Sequence, residues 1–277
     1  MDVDGIRATE NRLTVVVGAP VCRRGAYILD KFLSNQRGIQ HRYPLSEMAL
    51  ATDEPDFAGE VETLLGSSGV RGRVVRYETV GPPRGGSWYS SIASGREAVR
   101  QYILSQTRAK YLMSVDADML YDTRLVEIME REIEGYDAVF SGAPLRSVRG
   151  TIGMGGGCAM LRRSALERIQ FRCVELRNGE VLDDGCMLEM DLIRSGIAVK
   201  KGVFVSVNHY IGPAEALSVN PQPLGLFRRI STSRYVRYSL LRASLLLGCD
   251  ISSELHSAIY ESRNTLARLR DRRRSDG

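Results

Sequence analysis

Leu13-Thr-Val-Val-Val-Gly18 is a short β-branched run that stops at Gly18-Ala-Pro20. With no polar face and a breaker at its end, it has the pattern of a strand buried on both sides in a parallel sheet. The segments that follow repeat the theme. A helical pattern covers Ala26 to Ser34, a strand Leu45 to Ala51, and a helix Asp56 to Leu65, which stops at Gly66-Ser-Ser-Gly69. Arg73 to Val80 reads as a third strand, and a Gly/Pro loop, 81 to 87, leads into a helix over Ile92 to Ser105. Tyr111 to Val115 is a fourth buried strand. Strand and helix alternating three times predict an α/β protein with a mostly parallel central sheet flanked by helices.

The second half changes character. Strands are expected over Asp137 to Ala143 and Ala198 to Asn208, and helices over Ser164 to Ile169 and Cys186 to Ser195. Gly196 stands at the position after a helix end that favours glycine. Beyond Pro221 and Pro223 the chain becomes Arg-rich and helical, so the expected division is a domain over 1–226 and an extension over 227–277.

Composition narrows the class. With 277 residues, 43% hydrophobic and 26% charged, the chain is globular and neither disordered nor collagen-like. The net charge of +5 belongs to the tail: from Arg228 onward eleven Arg face five acidic residues, which leaves the rest close to neutral. Five cysteines without a CxxC pair point away from a zinc knot or a disulfide framework and toward a reducing compartment. The opening MDVDGIRATENR lacks the pattern of a leader, and no run approaches the ~18 apolar residues of a spanning helix, so a cytoplasmic, at most membrane-peripheral, protein is expected.

Four stretches carry chemistry-bearing residues. Asp116-Ala-Asp118 follows the fourth strand directly, where open parallel sheets bind ligands. Paired carboxylates there suit a hard divalent cation, Mg²⁺ or Mn²⁺. Asp118 equally has the pattern of an N-cap for a helix near Asp122. Asn208-His209-Tyr210 ends the last predicted strand. Asp183-Asp184 opens a helix, which serves capping and would also hold a general base firmly. Gly153-Met-Gly-Gly-Gly157 implies close backbone approach or a bulged strand. It has neither GxGxxG spacing before a helix nor a GK[ST] ending, which excludes dinucleotide-binding and P-loop readings.

Taken in order, the DAD motif, the glycine-rich segment leading to Arg162-Arg163-Ser164, the Asp-Asp before a helix ending in Arg194-Ser-Gly196 and the strand closing on His209 resemble a GT-A nucleotide-sugar glycosyltransferase, nearest to its large inverting family. The resemblance covers about residues 12 to 212. It implies the GT-A fold and transfer of a sugar, of hexosyl type, from a nucleotide-diphosphate sugar to an acceptor hydroxyl. It implies Mn²⁺ or Mg²⁺ on Asp118 and His209, with Asp116 on the metal or the ribose. Asp183-Asp184 stands where the family has Glu-Asp, whose second member is the base. That gives Asp184, with Asp183 the alternative because the interval to Gly196 is one residue longer than the family pattern. For the donor, the resemblance implies Ala19-Pro20 beneath the nucleobase, Asp53 reading base or ribose, and Arg84 and Arg96 facing the diphosphate. Ser94-Gly95-Arg96 departs from the family's Arg-Asn-x-Gly pattern. Trp88 and Tyr89 are candidates for lining the donor or acceptor pocket, and Ile211 to Phe227, with three prolines and two glycines, for a lid.

The tail has three open readings: a core-packing or homodimer helix, an interfacial helix on anionic lipid for a lipid-linked acceptor, and a contact with nucleic acid bearing a modified base. A glycan or small-molecule acceptor is equally compatible with the resemblance. A nucleotidyltransferase would share the fold, but the chain lacks a Gly-rich, Arg-containing signature after its first strand. A non-catalytic nucleotide-sugar or carbohydrate-binding module is the rival from another class.

Overall fold

The computed structural model describes residues 13–81, 87–144, 152–153, 156–203, 205–210, 212, 216–218, 234–249 and 251. Its centre is a seven-stranded sheet of β1 (Val15–Pro20), β2 (Ser46–Thr52), β3 (Gly72–Arg76), β4 (Tyr111–Val115), β6 (Ala138–Ser141), β9 (Cys158–Arg162) and β12 (Val199–Val203). The order is β12-β6-β9-β4-β1-β2-β3. β9 runs antiparallel to both its neighbours, β4 and β6, while the other pairings are parallel. The expected mostly parallel α/β sheet is therefore observed, with one reversed strand in its middle.

The run that fixes β1 explains the layers. Val15 and Val17 point to one face, where they pack with Phe32 of helix α1 (Ala26–Arg42), Phe57 of α2 (Pro55–Ser68) and Leu125 of α4 (Leu125–Glu132). Val16 points to the other, against Val99 and Ile103 of α3 (Ser87–Gln106), Leu166 of α5 (Arg163–Leu166) and Leu188 of α6 (Asp184–Arg194). Because both faces are covered, the strand alternates between two cores rather than between core and solvent. Small residues thin the α3 side: Ala49 and Ala51 are fully buried there, and a Cβ on Gly18 would sit 2.4 Å from Val99 Cγ1. Helix α3 thus lies close over the end of β1.

Two expectations change. The strand expected over 198–208 is two strands: β12, with a bulge at Gly202 (φ 90°), ends at Val203 and stays in the main sheet. Beyond it, β13 (Val207–Tyr210) joins β5 (Met119–Tyr121) and β14 (Ala216–Ser218) in a separate antiparallel sheet, and β7 (Ala143–Pro144) pairs antiparallel with β8 (Ile152–Gly153). The helix expected near Asp122 begins at Leu125, with β5 intervening, so Asp118 is not its cap. In the tail, helix α7 (Arg234–Leu247) buries Leu241 in a cluster with Met187 of α6, Leu176 next to β10 (Val174–Glu175) and Leu182 of β11 (Val181–Leu182). No described helix is long and apolar enough to cross a membrane. The expected lid lies outside the described residues apart from 212 and 216–218, as does the terminal Arg272-Arg-Arg274.

Candidate active site

The DAD motif is a turn at the carboxyl end of β4. The Asp116 N–H donates to the Gly157 carbonyl at 3.1 Å, and the Met119 N–H donates back to the Asp116 carbonyl at 3.2 Å. The chain then enters β5, whose register sets Met119 opposite His209 on β13, and the Tyr210 N–H donates to the Asp118 carbonyl at 2.8 Å. This ladder, formed between segments far apart in sequence, puts His209 Nε2 3.5 Å from Asp118 Oδ1. The imidazole is buried.

The glycine-rich segment accounts for the second wall. Ser114 Oγ donates to the Gly156 carbonyl at 2.5 Å and the Tyr121 hydroxyl to that of Gly157 at 2.6 Å. A Cβ on Gly157 would stand 2.2 Å from Asp116 Oδ2, and one on Gly156 2.9 Å from Arg96 Nη1. The close approach expected from the sequence is therefore to the site itself.

Arg96 projects from α3, which Gly95 allows to lie against Pro20 and Tyr77. Its Nη2 bonds Asp116 Oδ1 at 2.5 Å and its Nη1 bonds Asp184 Oδ2, and both Arg96 and Asp184 are buried. Burial alone would lower the guanidinium's pKa; the charges of Asp184 and Asp116 outweigh it and hold the pKa above the ordinary value. Burial pushes the Asp184 carboxyl up from the usual range, against the pull of Arg96 and with the push of Asp183 and Asp116. Asp183 caps α6: its Oδ1 accepts from the Cys186 N–H at 2.8 Å. The two adjacent aspartates thus divide, one terminating a helix and the other facing the cleft's arginine.

These groups line a cleft of 390 Å³, within the usual range for a small-ligand site. Asp116, Asp118, Asp183, Asp184, Arg96 and His209 all border it. The lining also includes the aromatic side chains of Phe57, Tyr77, Trp88 and Tyr89. Trp88 and Tyr89 are 42% and 45% exposed, large for aromatic side chains outside a binding surface. Of the lining residues to which the sequence assigns no role, two carry polar groups that bear on the site. Arg24 sets its guanidinium 5.5 Å from the centre of the Trp88 ring, while Arg23 beside it turns away to Glu60 at 2.7 Å. Ser91 is the other. The only sequence cue to Arg24 was a basic pair just past a strand end.

The remaining expected residues are placed as follows. Pro20 borders the cleft, whereas Ala19 is fully buried in β1. Asp53 stands behind the lining: its Oδ2 accepts from Ser91 Oγ at 3.0 Å and from Thr79 Oγ1. Arg84 lies outside the described residues. Arg96, expected to face a diphosphate, borders the cleft and bonds two carboxylates, one through each terminal nitrogen. Cys22 borders the cleft and Cys173 lies close to Asp184. Burial raises both thiols, Cys173 to about 12 with help from the Asp184 and Asp183 charges, so neither is a ready thiolate nucleophile.

Among the described residues no group of three or more His, Cys, Asp and Glu side chains is placed to hold a metal ion by itself. The donor set still suits a divalent cation. Asp118 and His209 present a carboxylate and an imidazole to one another at 3.5 Å, close to the ~3 Å between adjacent ligands that each lie ~2.1 Å from one ion. Such a pair leaves most coordination positions to a substrate. Asp116, expected on the same ion, is held by Arg96.

No family model matches the chain, and no curated protein matches it. Among solved structures it is similar to the mannosyltransferase PcManGT from Pyrobaculum calidifontis in complex with GDP-Man and Mn²⁺, at TM-score 0.49 and 13% identity over 86% of this chain and 63% of that one. It is similar to S. aureus TarS (residues 1–349) at TM-score 0.46 and 12% identity, over 69% of this chain and 59% of TarS. A third is glucosyl-3-phosphoglycerate synthase from Mycobacterium tuberculosis in complex with phosphoglyceric acid, at TM-score 0.46 and 15% identity, over 90% and 84%. The chain thus spans less than two thirds of PcManGT and of that TarS structure.

Proposed function

We propose that the chain is a metal-dependent GT-A glycosyltransferase, moving a hexosyl group from a nucleotide-diphosphate sugar to an acceptor hydroxyl with inversion. One observation carries this reading: the DAD turn meets His209 in a cleft that also holds the buried carboxylate of Asp184 at a helix start.

In this reading Asp118 and His209 would hold Mn²⁺ or Mg²⁺, which when bound would supply Lewis-acid stabilisation of the leaving diphosphate's charge. The aromatic side chains of the lining and Pro20 receive the nucleoside, with Asp53 acting through Ser91. Asp184 accepts the proton of the acceptor hydroxyl as its oxygen bonds the anomeric carbon. The bond from that carbon to the diphosphate oxygen breaks on the opposite side, and the electron pair leaves with the nucleotide. A carboxylate raised by burial is better matched to taking such a proton near neutral pH than an ordinary aspartate. The raised thiols fit a single displacement without a cysteine intermediate.

The test is a thermal-shift panel of UDP-, GDP-, CMP- and dTDP-sugars, each with and without Mn²⁺. A ligand that binds the native state raises the midpoint by mass action. A Mn²⁺-dependent shift with one nucleotide class supports the reading and fixes the donor. No shift with any of them counts against it, and a shift without donor turnover under any acceptor favours a binding module.

A further inference from the structure

We propose that Arg96 is a positioning residue that ties Asp184 to Asp116, fixing the two acidic sides of the cleft relative to one another before any ligand binds. The role of Asp184 as base rests on the reading above; the tie itself rests on three side chains and their surroundings.

Three separate elements meet at this guanidinium. Arg96 comes from α3, Asp116 from the turn after β4, and Asp184 from the first turn of α6. One terminal nitrogen bonds each carboxylate. The planar fork of arginine sets two separate terminal nitrogens on two carboxylates, a spacing that the ammonium of lysine, with its three donors on one atom, does not reproduce. The backbone is shaped around it: Gly95 lets α3 approach β1, and Gly156 passes so near that a Cβ would stand 3.0 Å from the guanidinium carbon. Arg96 is 7% exposed, so the contacts act with little solvent screening.

The surroundings explain why a tie is needed. Asp184 faces Arg96 from α3, Asp116 from the β4 turn, Asp183 from its own helix and Cys173 from the segment before β10. Asp118 and His209 border the same cleft. Without Arg96 the Asp184 carboxylate would be buried among like charges, and nothing else in that group would hold its oxygen in place. The tie uses two of the five N–H donors of the guanidinium, and the kinetic test below separates it from the donor-contact role expected from the sequence.

A double-mutant cycle on the full chain tests the tie with no ligand. Arg96→Gln should lower the thermal midpoint by about 10 °C at neutral pH, because it leaves buried carboxylates uncompensated. Adding Asp184→Asn should recover part of that loss, although the same change in the wild type lowers the midpoint or leaves it unchanged. Arg96→Lys should recover less than the restored charge alone would give. Additive midpoints across the cycle overturn the tie, whether or not the chain uses a nucleotide sugar. If Arg96→Gln does not fold, the Lys variant with and without Asp184→Asn forms the same cycle. With the donor identified by the panel above, Arg96→Lys should lower kcat about 10-fold or more and leave donor KM within about 2-fold. A raised donor KM with kcat unchanged would make Arg96 a donor contact and overturn the positioning role. Absence of turnover in the wild type would speak against the glycosyltransferase reading, while the cycle would still decide the tie.

Discussion

His209 Nε2 lies 3.5 Å from Asp118 Oδ1 because the β5–β13 ladder sets Met119 against His209. The pair is thus preorganised by backbone pairing rather than recruited by flexible side chains. Asp118→Ala should therefore abolish Mn²⁺-dependent nucleotide binding, measured by titration calorimetry, while leaving the midpoint of the ligand-free protein nearly unchanged. An affinity equal to the wild type would remove Asp118 from the metal site. His209→Ala should weaken the same binding by about 10-fold or more, since it removes one of the two protein ligands.

Asp184→Asn keeps the shape of the side chain and removes its ability to take a proton. Donor binding should persist, and transfer should fall by about 10²- to 10⁴-fold, the usual contribution of a general base. Turnover near the wild-type rate would move the base to Asp183 or elsewhere.

The pH dependence follows from the same residue. Burial raises the Asp184 carboxyl, so its protonated form gains ground in the folded protein at a pH where an unfolded aspartate is already ionised. Transfer should fall as pH drops through that raised value, giving an acid limb above the range of a free aspartate. The sign for stability is opposite. In this window the folded state binds more proton than the unfolded, so the contribution of Asp184 becomes more favourable as pH falls and less so as it rises. Asp184→Asn should flatten that part of the midpoint-against-pH curve; a curve identical to the wild type would show that Asp184 does not titrate there.

Gly157→Ala places a methyl 2.2 Å from Asp116 Oδ2, where the nearest atoms belong to a carboxylate already held by Arg96. Either the turn or the carboxylate must shift, so nucleotide binding and the midpoint should both fall. Gly135→Ala is the control: its φ of 77° strains a side chain, but no atom lies within 4 Å, so it should cost stability and leave the cleft's affinity intact. Equal effects on affinity would show that the Gly157 contact is not specific to the site.

Much of this was legible in the chain. The β-branched run at Val15–Val17 announces a strand covered on both faces, and Asp116-Ala-Asp118 directly after Val115 announces a ligand site at a strand end. The division between β12 and β13 was not legible, because the β-branched residues Val203, Val205 and Val207 run across it with no glycine or proline between them. The partner of Arg96 was hidden for a different reason. Its bonds reach Asp116 and Asp184 on other elements, a tertiary arrangement with no local pattern. Likewise Asp183 and Asp184 look equivalent in sequence, and only the direction of each carboxylate separates cap from cleft residue.

Helix α7 supplies the last test. From sequence this stretch is open between a core-packing or homodimer helix, an interfacial helix on anionic lipid and a nucleic-acid contact, and its leucines divide between buried and exposed. Leu241 is fully buried against α6, while Leu246 and Leu247 are 68% and 64% exposed. Because α6 begins at Asp184, the apolar contact at Leu241 supports the helix that carries the proposed base. Leu241→Ala should cost about 2–5 kcal/mol of unfolding free energy, the range for truncating a buried leucine. Leu247→Ala should cost less than about 0.5 kcal/mol, as expected for an exposed position. Urea denaturation of both variants checks the contrast. Equal, small losses would mean that α7 does not pack on α6 in solution, and the support it gives to Asp184 would fall with it.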